Sequence, residues 1–378
     1  MTDNMKPKLI LVCLIALMFG TSAANAQAQS DNDNVRSDTA FAPVITKALP
    51  SPFEAEYSDS DLKNKVDNGE VKEKVKTYSK VYPAASNDEL KIENSFGEVS
   101  VNTWDRKEFK IEVQIKVYAN VDADAQKFLD VIQISDSKTA GLAWFKTVIG
   151  DNGSLSPELW KGDGKNHIKK IEINYVVYMP AKNALSINNK YGNTTLPELQ
   201  GKVTIHSFFG GLKAKSLSNP LSEIKVRSGD VTIGSLTGGS LQIAFGSLNL
   251  SEGDKLNADI SYGPVKIGTL YTSANIKVKY CGKLQIAGLD KNFKMLDITA
   301  AYSGVKVGIN NNENANFDIT TYYGLFKYDS AHASLSNKTP ASDTHGFTAQ
   351  KNYTGQLGKG SPNKTITIRS NFGQVDFN

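Results

Sequence analysis

Alternation of apolar and polar residues dominates the chain from Leu90 onward and predicts β-strands. The clearest runs place an apolar side chain at every second position, over 109–117 and 171–177. This period of two is typical of a strand with one buried face. Between the two runs, apolar residues at helical spacing follow Asp122, which is expected to cap a short α-helix. Those residues are Ala125, Phe128, Leu129 and Ile132. Residues 81–180 are therefore predicted to form an N-terminal α+β cap region that also contains the first repeat.

From residue 181 onward, a pair formed by an aromatic residue and glycine recurs at intervals of about 17–21 residues. The pairs are Tyr191-Gly192, Phe209-Gly210, Phe245-Gly246, Tyr262-Gly263 and Tyr323-Gly324, with the variants Ser228-Gly229, Cys281-Gly282 and Tyr302-Ser303. The same pair also occurs at Phe96-Gly97 and Phe372-Gly373. A fixed interval over many units is typical of stacked repeats. Residues 181–378 are therefore predicted to be all-β, as a single-stranded β-solenoid (β-helix) built from these coils.

Strand parity predicts on which side of the sheet the aromatic residue lies. Apolar residues fall two and four positions before it and three and five positions after it, as at Leu241, Ile243, Leu248 and Leu250 around Phe245. In an extended strand the preceding positions share its face, and the following ones have the opposite parity, so the chain must turn at the glycine. The prediction is a stacked aromatic ladder inside the core. The alternative is an exposed stripe that binds a sugar or a partner.

Two repeats carry a small residue where the others carry an aromatic one. Ser228 and Cys281 are consistent with a buried position that tolerates small side chains. Cys281 is therefore predicted to be a buried, inert thiol.

The repeat is interrupted over residues 330–364 by a segment rich in Ser, Thr, Gly and Asn. This insertion is predicted to be a loop, a projecting hairpin or a degenerate coil. Such a segment on one face of a solenoid can bind a ligand, although a mobile loop without a binding role is the favoured interpretation.

The N-terminus has the pattern of a secretory signal peptide over residues 1–26. Lys6 and Lys8 precede the apolar run 9–20, which is shorter than the roughly 20 residues that a spanning helix needs. Cleavage is expected after Ala26, and Ala28 offers a second cleavage position. We therefore expect an exported protein, periplasmic, surface-bound or secreted. Residues 27–80 are predicted to be a disordered linker or a tether, because their apolar residues are sparse.

Composition and motifs exclude several classes of function. The formal net charge is only +4, with both signs interspersed, which argues against a nucleic-acid partner. No other segment is apolar enough to span a membrane. The four histidines share no metal-ligand spacing, and no phosphate-binding or nucleophile motif occurs. No catalytic, cofactor or metal site is therefore predicted. The alternative is a carbohydrate-active β-helix enzyme, a polysaccharide lyase or hydrolase, which would need carboxylates that converge across coils. Asp230, Asp254, Asp259 and Asp297 instead occupy different coil positions.

Three segments resemble the bacterial putative-adhesin family found in Bacteroidetes-like organisms. They are 90–105, the strand 111–117, and 176–193 with its Met179-Pro180 and Tyr191-Gly192. The resemblance covers residues 80–378 and implies a right-handed β-helix exposed outside the cytoplasm, with a role in adhesion and no catalytic residues. The function predicted from the sequence is a non-enzymatic adhesin or envelope protein. A glycan, host matrix or an envelope polymer is the expected partner, met by outward Lys, Ser, Thr and Asn side chains or by loops.

Overall fold

The computed structural model describes residues 58–150, 168–340 and 349–378, and in this part of the chain the fold is all-β with two short helices. The predicted signal peptide 1–26 and the first part of the linker lie outside the described residues. The helices are α1 (Asp59–Asp67) and α2 (Asp122–Asp130). The first seven strands are β1 (Lys72–Pro83), β2 (Glu89–Ser95), β3 (Val99–Thr103), β4 (Glu108–Ala119), β5 (Ile132–Thr139), β6 (Leu142–Ile149) and β7 (Ile168–Met179).

The remaining strands have two to eight residues, apart from two strands of 17 and 13 residues. They are β8 (Ala184–Lys190), β9 (Thr194–Leu199), β10 (Val203–Phe208), β11 (Leu212–Leu217), β12 (Glu223–Arg227), β13 (Val231–Thr237), β14 (Ser240–Ala244), β15 (Leu248–Asp254), β16 (Leu256–Ser261) and β17 (Val265–Leu270). The two long strands are β18 (Ser273–Leu289) and β19 (Met295–Val307). The last six are β20 (Ala315–Tyr322), β21 (Phe326–Lys327), β22 (Ala333–Thr339), β23 (Gln350–Leu357), β24 (Thr365–Asn371) and β25 (Val375–Phe377).

The structure corrects the predicted linker 27–80, because α1 and most of β1 lie within it. The linker was drawn to residue 80, but β1 is a 12-residue strand that pairs antiparallel with β4. Sequence alternation missed it because only one side of β1 is covered, and most of its residues are exposed or half-buried. The helix α2 packs against β1 and β4 through Ala125, Phe128 and Leu129. Its N-cap is Val121, so the expectation that Asp122 caps the helix was wrong: Asp122 is its first residue.

Two parallel stacks of strands account for the repeat. In the first, which we call stack 1, each strand after β6 precedes an aromatic position or its Ser228 variant, and the strand order is β6, β2, β8, β10, β12, β14, β16, β18, β19, β24, β20. In stack 2 each strand after β7 follows such a position, and the strand order is β7, β3, β9, β11, β13, β15, β17, β18, β19, β25, β21. The inward Leu, Ile and Val side chains of both stacks form one core.

We call a stack 1 strand, together with the stack 2 strand that follows it, a coil. The order of these coils in space departs from their order in the sequence at the C-terminal end. Strand β24 pairs in parallel with both β19 and β20, so the last repeat lies between its two predecessors. The insertion at 330–364 contains the antiparallel hairpin β22–β23, and β23 also pairs antiparallel with β20. The hairpin alternative therefore describes the part of this insertion that the structure contains, which excludes residues 341–348.

Cys281 is a free cysteine with a side chain that is 3% exposed, so its predicted burial is confirmed. Burial raises the pKa of its thiol, which reduces the fraction of reactive thiolate at neutral pH. In the part of the chain that the structure covers, no helix combines the length and apolarity needed to cross a bilayer.

Candidate binding surface

A left-handed backbone conformation marks the end of the stack 1 strand in ten coils. We call this residue position 0 and count neighbours from it. The residues are Phe96, Tyr191, Phe209, Ser228, Phe245, Tyr262, Tyr280, Tyr302, Phe372 and Tyr323, with φ between 51° and 66°. Non-glycine residues seldom adopt this conformation, which costs roughly 1–2 kcal/mol each. A strained conformation that recurs in this way at bulky residues is typical of functional sites.

The left-handed conformation turns the aromatic side chains outward, so the predicted core ladder was wrong. Tyr302 is 47% exposed and Tyr323 is 53% exposed, and the other aromatic residues at position 0 are exposed or half-buried. The parity argument assumed an extended backbone up to position 0. Because the chain leaves the β conformation at position 0 itself, that side chain points away from the face that positions −2 and −4 share.

The outward rings stack face to face along the corner between stack 1 and stack 2. Neighbouring centroids are 4.7–5.2 Å apart, and the ring planes differ by 2–18°. We call these nine residues the aromatic stripe: in spatial order, Phe96, Tyr191, Phe209, Phe245, Tyr262, Tyr280, Tyr302, Phe372 and Tyr323. Ser228 interrupts the stripe between Phe209 and Phe245. At roughly 4.8 Å per step, the stripe is about 43 Å long.

The position 0 residue within β18 is Tyr280, and the assignment of Cys281 to this position was wrong. Tyr280 has φ of 56° and stacks between Tyr262 and Tyr302. The pairing of β18 with β19 shifts its register between Lys279 and Gly282, which shows an extra residue at this corner. Cys281 is that residue, and its side chain points into the core. The Tyr280-Cys281-Gly282 sequence left both assignments open, and the aromatic residue was the correct signal.

The glycines at position +1 pack backbone against backbone. A Cβ atom built on Gly192 would lie 1.8 Å from the carbonyl oxygen of Gly97, and one built on Gly246 would lie 1.9 Å from that of Gly229. No side chain fits at these distances. At these positions the aromatic residue takes the positive φ, and the glycine permits the close approach.

Polar residues at position −2 form hydrogen bonds that stabilise several corners. The sequence analysis did not predict these bonds. Asn189 Nδ2 donates to the carbonyl of Gly192 at 2.9 Å, and Ser207 Oγ donates to that of Gly210 at 2.7 Å. Thr321 and Ser370 make the equivalent bonds in their coils. All four side chains are buried. The signal was available as an Asn, Ser or Thr at a position where other coils have Ile or Val.

Cationic side chains lie directly beside the stripe. Lys190, Arg227 and Lys279 occupy position −1, point to solvent and follow the outward face of stack 1. Arg227 Cζ is 6.0 Å from the ring centroid of Phe245, and Lys279 Nζ is 5.3 Å from that of Tyr280. Both distances are within the range of cation–π attraction.

A second polar cluster lies near the N-terminal strands. Tyr78 and Tyr82 both donate their hydroxyl hydrogens to Asp136, and Lys80 Nζ is 3.9 Å from the same carboxylate. Burial opposes ionisation of Asp136, but these hydrogen bonds and Lys80 hold its pKa below the usual range. The bond to Asp136, followed by burial, raises the pKa of Tyr82 to about 12. These groups satisfy one another and join β1 to β5.

The acidic residues considered for an enzyme serve the turns or remain apart. Asp230 Oδ1 accepts from the backbone N–H of Ser247 at 2.9 Å, and Asp254 Oδ1 accepts from that of Thr272 at 3.1 Å. Asp259 faces solvent beside Lys277 of the next strand. Among the described residues, no three His, Cys, Asp or Glu side chains come together as a metal site.

The solved structures to which this chain is similar include a putative cell adhesion protein from Clostridium sporogenes, at 10% identity over 80% of this chain and 99% of that chain, with a TM-score of 0.21. A putative adhesin from Bacteroides fragilis matches at 11% identity over 80% and 97%, with a TM-score of 0.34. A putative lipid binding protein from Parabacteroides distasonis matches at 11% identity over 80% and 96%, with a TM-score of 0.26.

The descriptions of these neighbours include the putative-adhesin family that the sequence resembles. No protein-family model and no curated protein matches the chain.

Proposed function

We propose that this chain is a non-enzymatic, exported binding protein that holds a polymer along its aromatic stripe, in adhesion or in the cell envelope. The observation that carries the proposal is the outward, half-exposed row of nine aromatic side chains on a left-handed backbone. A contiguous exposed apolar surface of this kind marks an interaction site more often than it serves the fold.

The energetics of the stripe support a role beyond stability. Each left-handed aromatic residue costs roughly 1–2 kcal/mol, and each stacked pair returns roughly 0.5–1.5 kcal/mol. The two contributions nearly cancel. Glycine or asparagine would adopt the same backbone at lower cost. The bulky rings therefore contribute little net stability, which favours selection for what they present to solvent.

The architecture suits an extended ligand. We propose that stacks 1 and 2 are the two faces of a β-solenoid, in which each coil gives one strand to each stack and places one residue in the stripe. A stack of this kind repeats the same surface group at every coil, and polymers that repeat at regular intervals match such surfaces. The alternative of a polysaccharide lyase or hydrolase has no supporting observation, since Asp230 and Asp254 are engaged in turns.

A binding panel tests the proposal. The full chain, purified from an exporting host, is assayed by biolayer interferometry against host glycans, matrix proteins and envelope polymers. We expect saturable binding to at least one extended polymer and no turnover of it. Absence of binding across the whole panel would remove the proposed function. Release of shortened polymer would replace it with the enzyme alternative.

A further inference from the structure

The stacking of the stripe decides which part of each ring a ligand meets. Rings that stack face to face cover one another's π-faces and present their edges to solvent. An aromatic edge carries the positive end of the ring quadrupole. Five of the nine residues are tyrosines, which add a hydroxyl group to the ring. Such a surface favours an oxygen-rich ligand with negative charge over an apolar chain.

The missing ring at Ser228 is the one described interruption of this pattern. Phe209 and Phe245 lie two coil steps apart, about 10 Å, and Arg227 extends its guanidinium group over the Phe245 ring at 6.0 Å. A guanidinium group is planar and can donate two parallel hydrogen bonds to a carboxylate or a sulfate, and it also stacks on aromatic rings.

The row of residues at position −1 carries positive charge at several points along the stripe. Its ten described members carry three cations and no carboxylate: Ser95, Lys190, Phe208, Arg227, Ala244, Ser261, Lys279, Ala301, Asn371 and Tyr322. Lys190 and Arg227 are two coil steps apart, about 10 Å, and Arg227 and Lys279 are three steps apart, about 14 Å.

Nearby carboxylates are engaged or lie further from the row. Asp230, on the other side of the stripe, accepts from the Ser247 amide and hydroxyl through one oxygen. Glu93, two positions further from the stripe than the row itself, pairs with Lys91 at 2.7 Å. Asp259 is as far from the stripe as Glu93, in the Tyr262 coil, and faces solvent beside Lys277 of the next strand. Glu98 is exposed beside the stripe at its Phe96 end. The centre of the stripe, from Phe209 to Tyr302, therefore has a positive flank.

We propose that the aromatic stripe and the cationic row bind an acidic polysaccharide, with Arg227 at the missing ring pairing with one of its acidic groups. This inference rests on the proposed function and specifies its ligand. Widely spaced cations suit a polymer with about one negative charge per sugar or per disaccharide. Double-stranded nucleic acid carries one charge per roughly 1.7 Å and binds proteins with denser basic patches.

Matched charge variants of the full chain test this inference. The triple variant K190Q/R227Q/K279Q removes the cationic row, and K213Q/K266Q/K306Q removes three lysines from the outward face of stack 2. Both lose the same charge and no buried group. The probes are polygalacturonate, a linear uronic-acid polymer, and dextran, a neutral one, with binding measured by isothermal titration calorimetry at low and physiological salt.

We expect the full chain to bind polygalacturonate with an affinity that falls as salt rises. The row triple should lose at least about tenfold in affinity and the stack 2 triple less than about twofold. R227K keeps the charge but not the two-pronged geometry, so it should lose affinity relative to the unaltered chain.

Three outcomes would overturn the inference. Equal losses in the two triples would show non-specific charge attraction. Binding of dextran as tight as that of polygalacturonate would overturn the acidic class of ligand and leave the proposed function standing. Failure to bind either probe would overturn the inference, and the proposed function would fall as well only if the wider panel were also negative.

Discussion

Gly246→Ala is expected to lower the free energy of unfolding by at least about 3 kcal/mol. The new Cβ atom would lie 1.9 Å from the carbonyl oxygen of Gly229 and 2.7 Å from its carbonyl carbon. Both contacts are with backbone that is fixed in parallel pairing on either side, so neither coil can move alone. The loss of stability should be measured from the change in the midpoint of urea unfolding, followed by circular dichroism.

Gly288→Ala is the matched control for this substitution. Gly288 also lies in a strand, but an added Cβ atom meets nothing within 4 Å, and its φ is not in the left-handed region. Replacing a glycine there should be neutral or stabilise by up to about 1 kcal/mol, because the unfolded chain loses freedom. If the two variants unfold at the same urea concentration, the backbone contact between coils is not what fixes glycine at position +1.

The double variant Tyr262→Gly/Tyr302→Gly is expected to lose binding while the fold persists. It breaks the stacking of Tyr262 on Phe245 and Tyr280, and of Tyr302 on Tyr280 and Phe372. It also removes two left-handed non-glycine residues. The losses and gains should leave the free energy of unfolding within about 2 kcal/mol of the original. Affinity for the tightest-binding polymer of the panel should fall at least about tenfold.

Two further variants distinguish the effect of backbone strain from that of losing the ring, and the stripe from other exposed side chains. Tyr262→Ala keeps the left-handed strain that Tyr262→Gly relieves, so the alanine variant should be the less stable by about 1 kcal/mol. Leu221→Gly removes a side chain that is 72% exposed and lies outside the stripe, and it should leave binding unchanged. A loss of more than about 3 kcal/mol per tyrosine would instead indicate rings that serve as core. Unchanged affinity of the double variant would show that the polymer does not bind at the stripe.

Much of the fold could be predicted from the period of the apolar residues. Burial of Leu241 and Ile243 before Phe245, and of Leu248 and Leu250 after it, follows the predicted parity. The recurrence of an aromatic residue with glycine identified the corner at the correct positions except in β18, where Tyr280 and not Cys281 occupies it. These features depend only on alternation and on the fact that glycine lacks a Cβ atom, and both are visible in a sequence.

The side on which the aromatic residues lie could not be predicted by the same means. Parity applies only while the backbone stays extended, and one left-handed residue reverses it. Nothing in a Phe-Gly or Tyr-Gly pair shows that the aromatic residue adopts the positive φ, because glycine is the residue expected to do so. The position of β24 between β19 and β20 was equally hidden, since every coil offers the same pairing edge and sequence order suggests sequential stacking.

Hydroxyl-radical footprinting with mass spectrometry tests the central claim, that the aromatic stripe is an exposed surface where a polymer binds. Tyr280, Tyr302 and Tyr323 should react in the free protein, whereas Tyr175, which is 1% exposed, should not. Saturation with the tightest-binding polymer of the panel should protect the stripe and leave Leu221 and Met295, which are exposed outside it, reactive. A stripe that is already protected in the free protein, or that stays reactive in the complex, would contradict the claim.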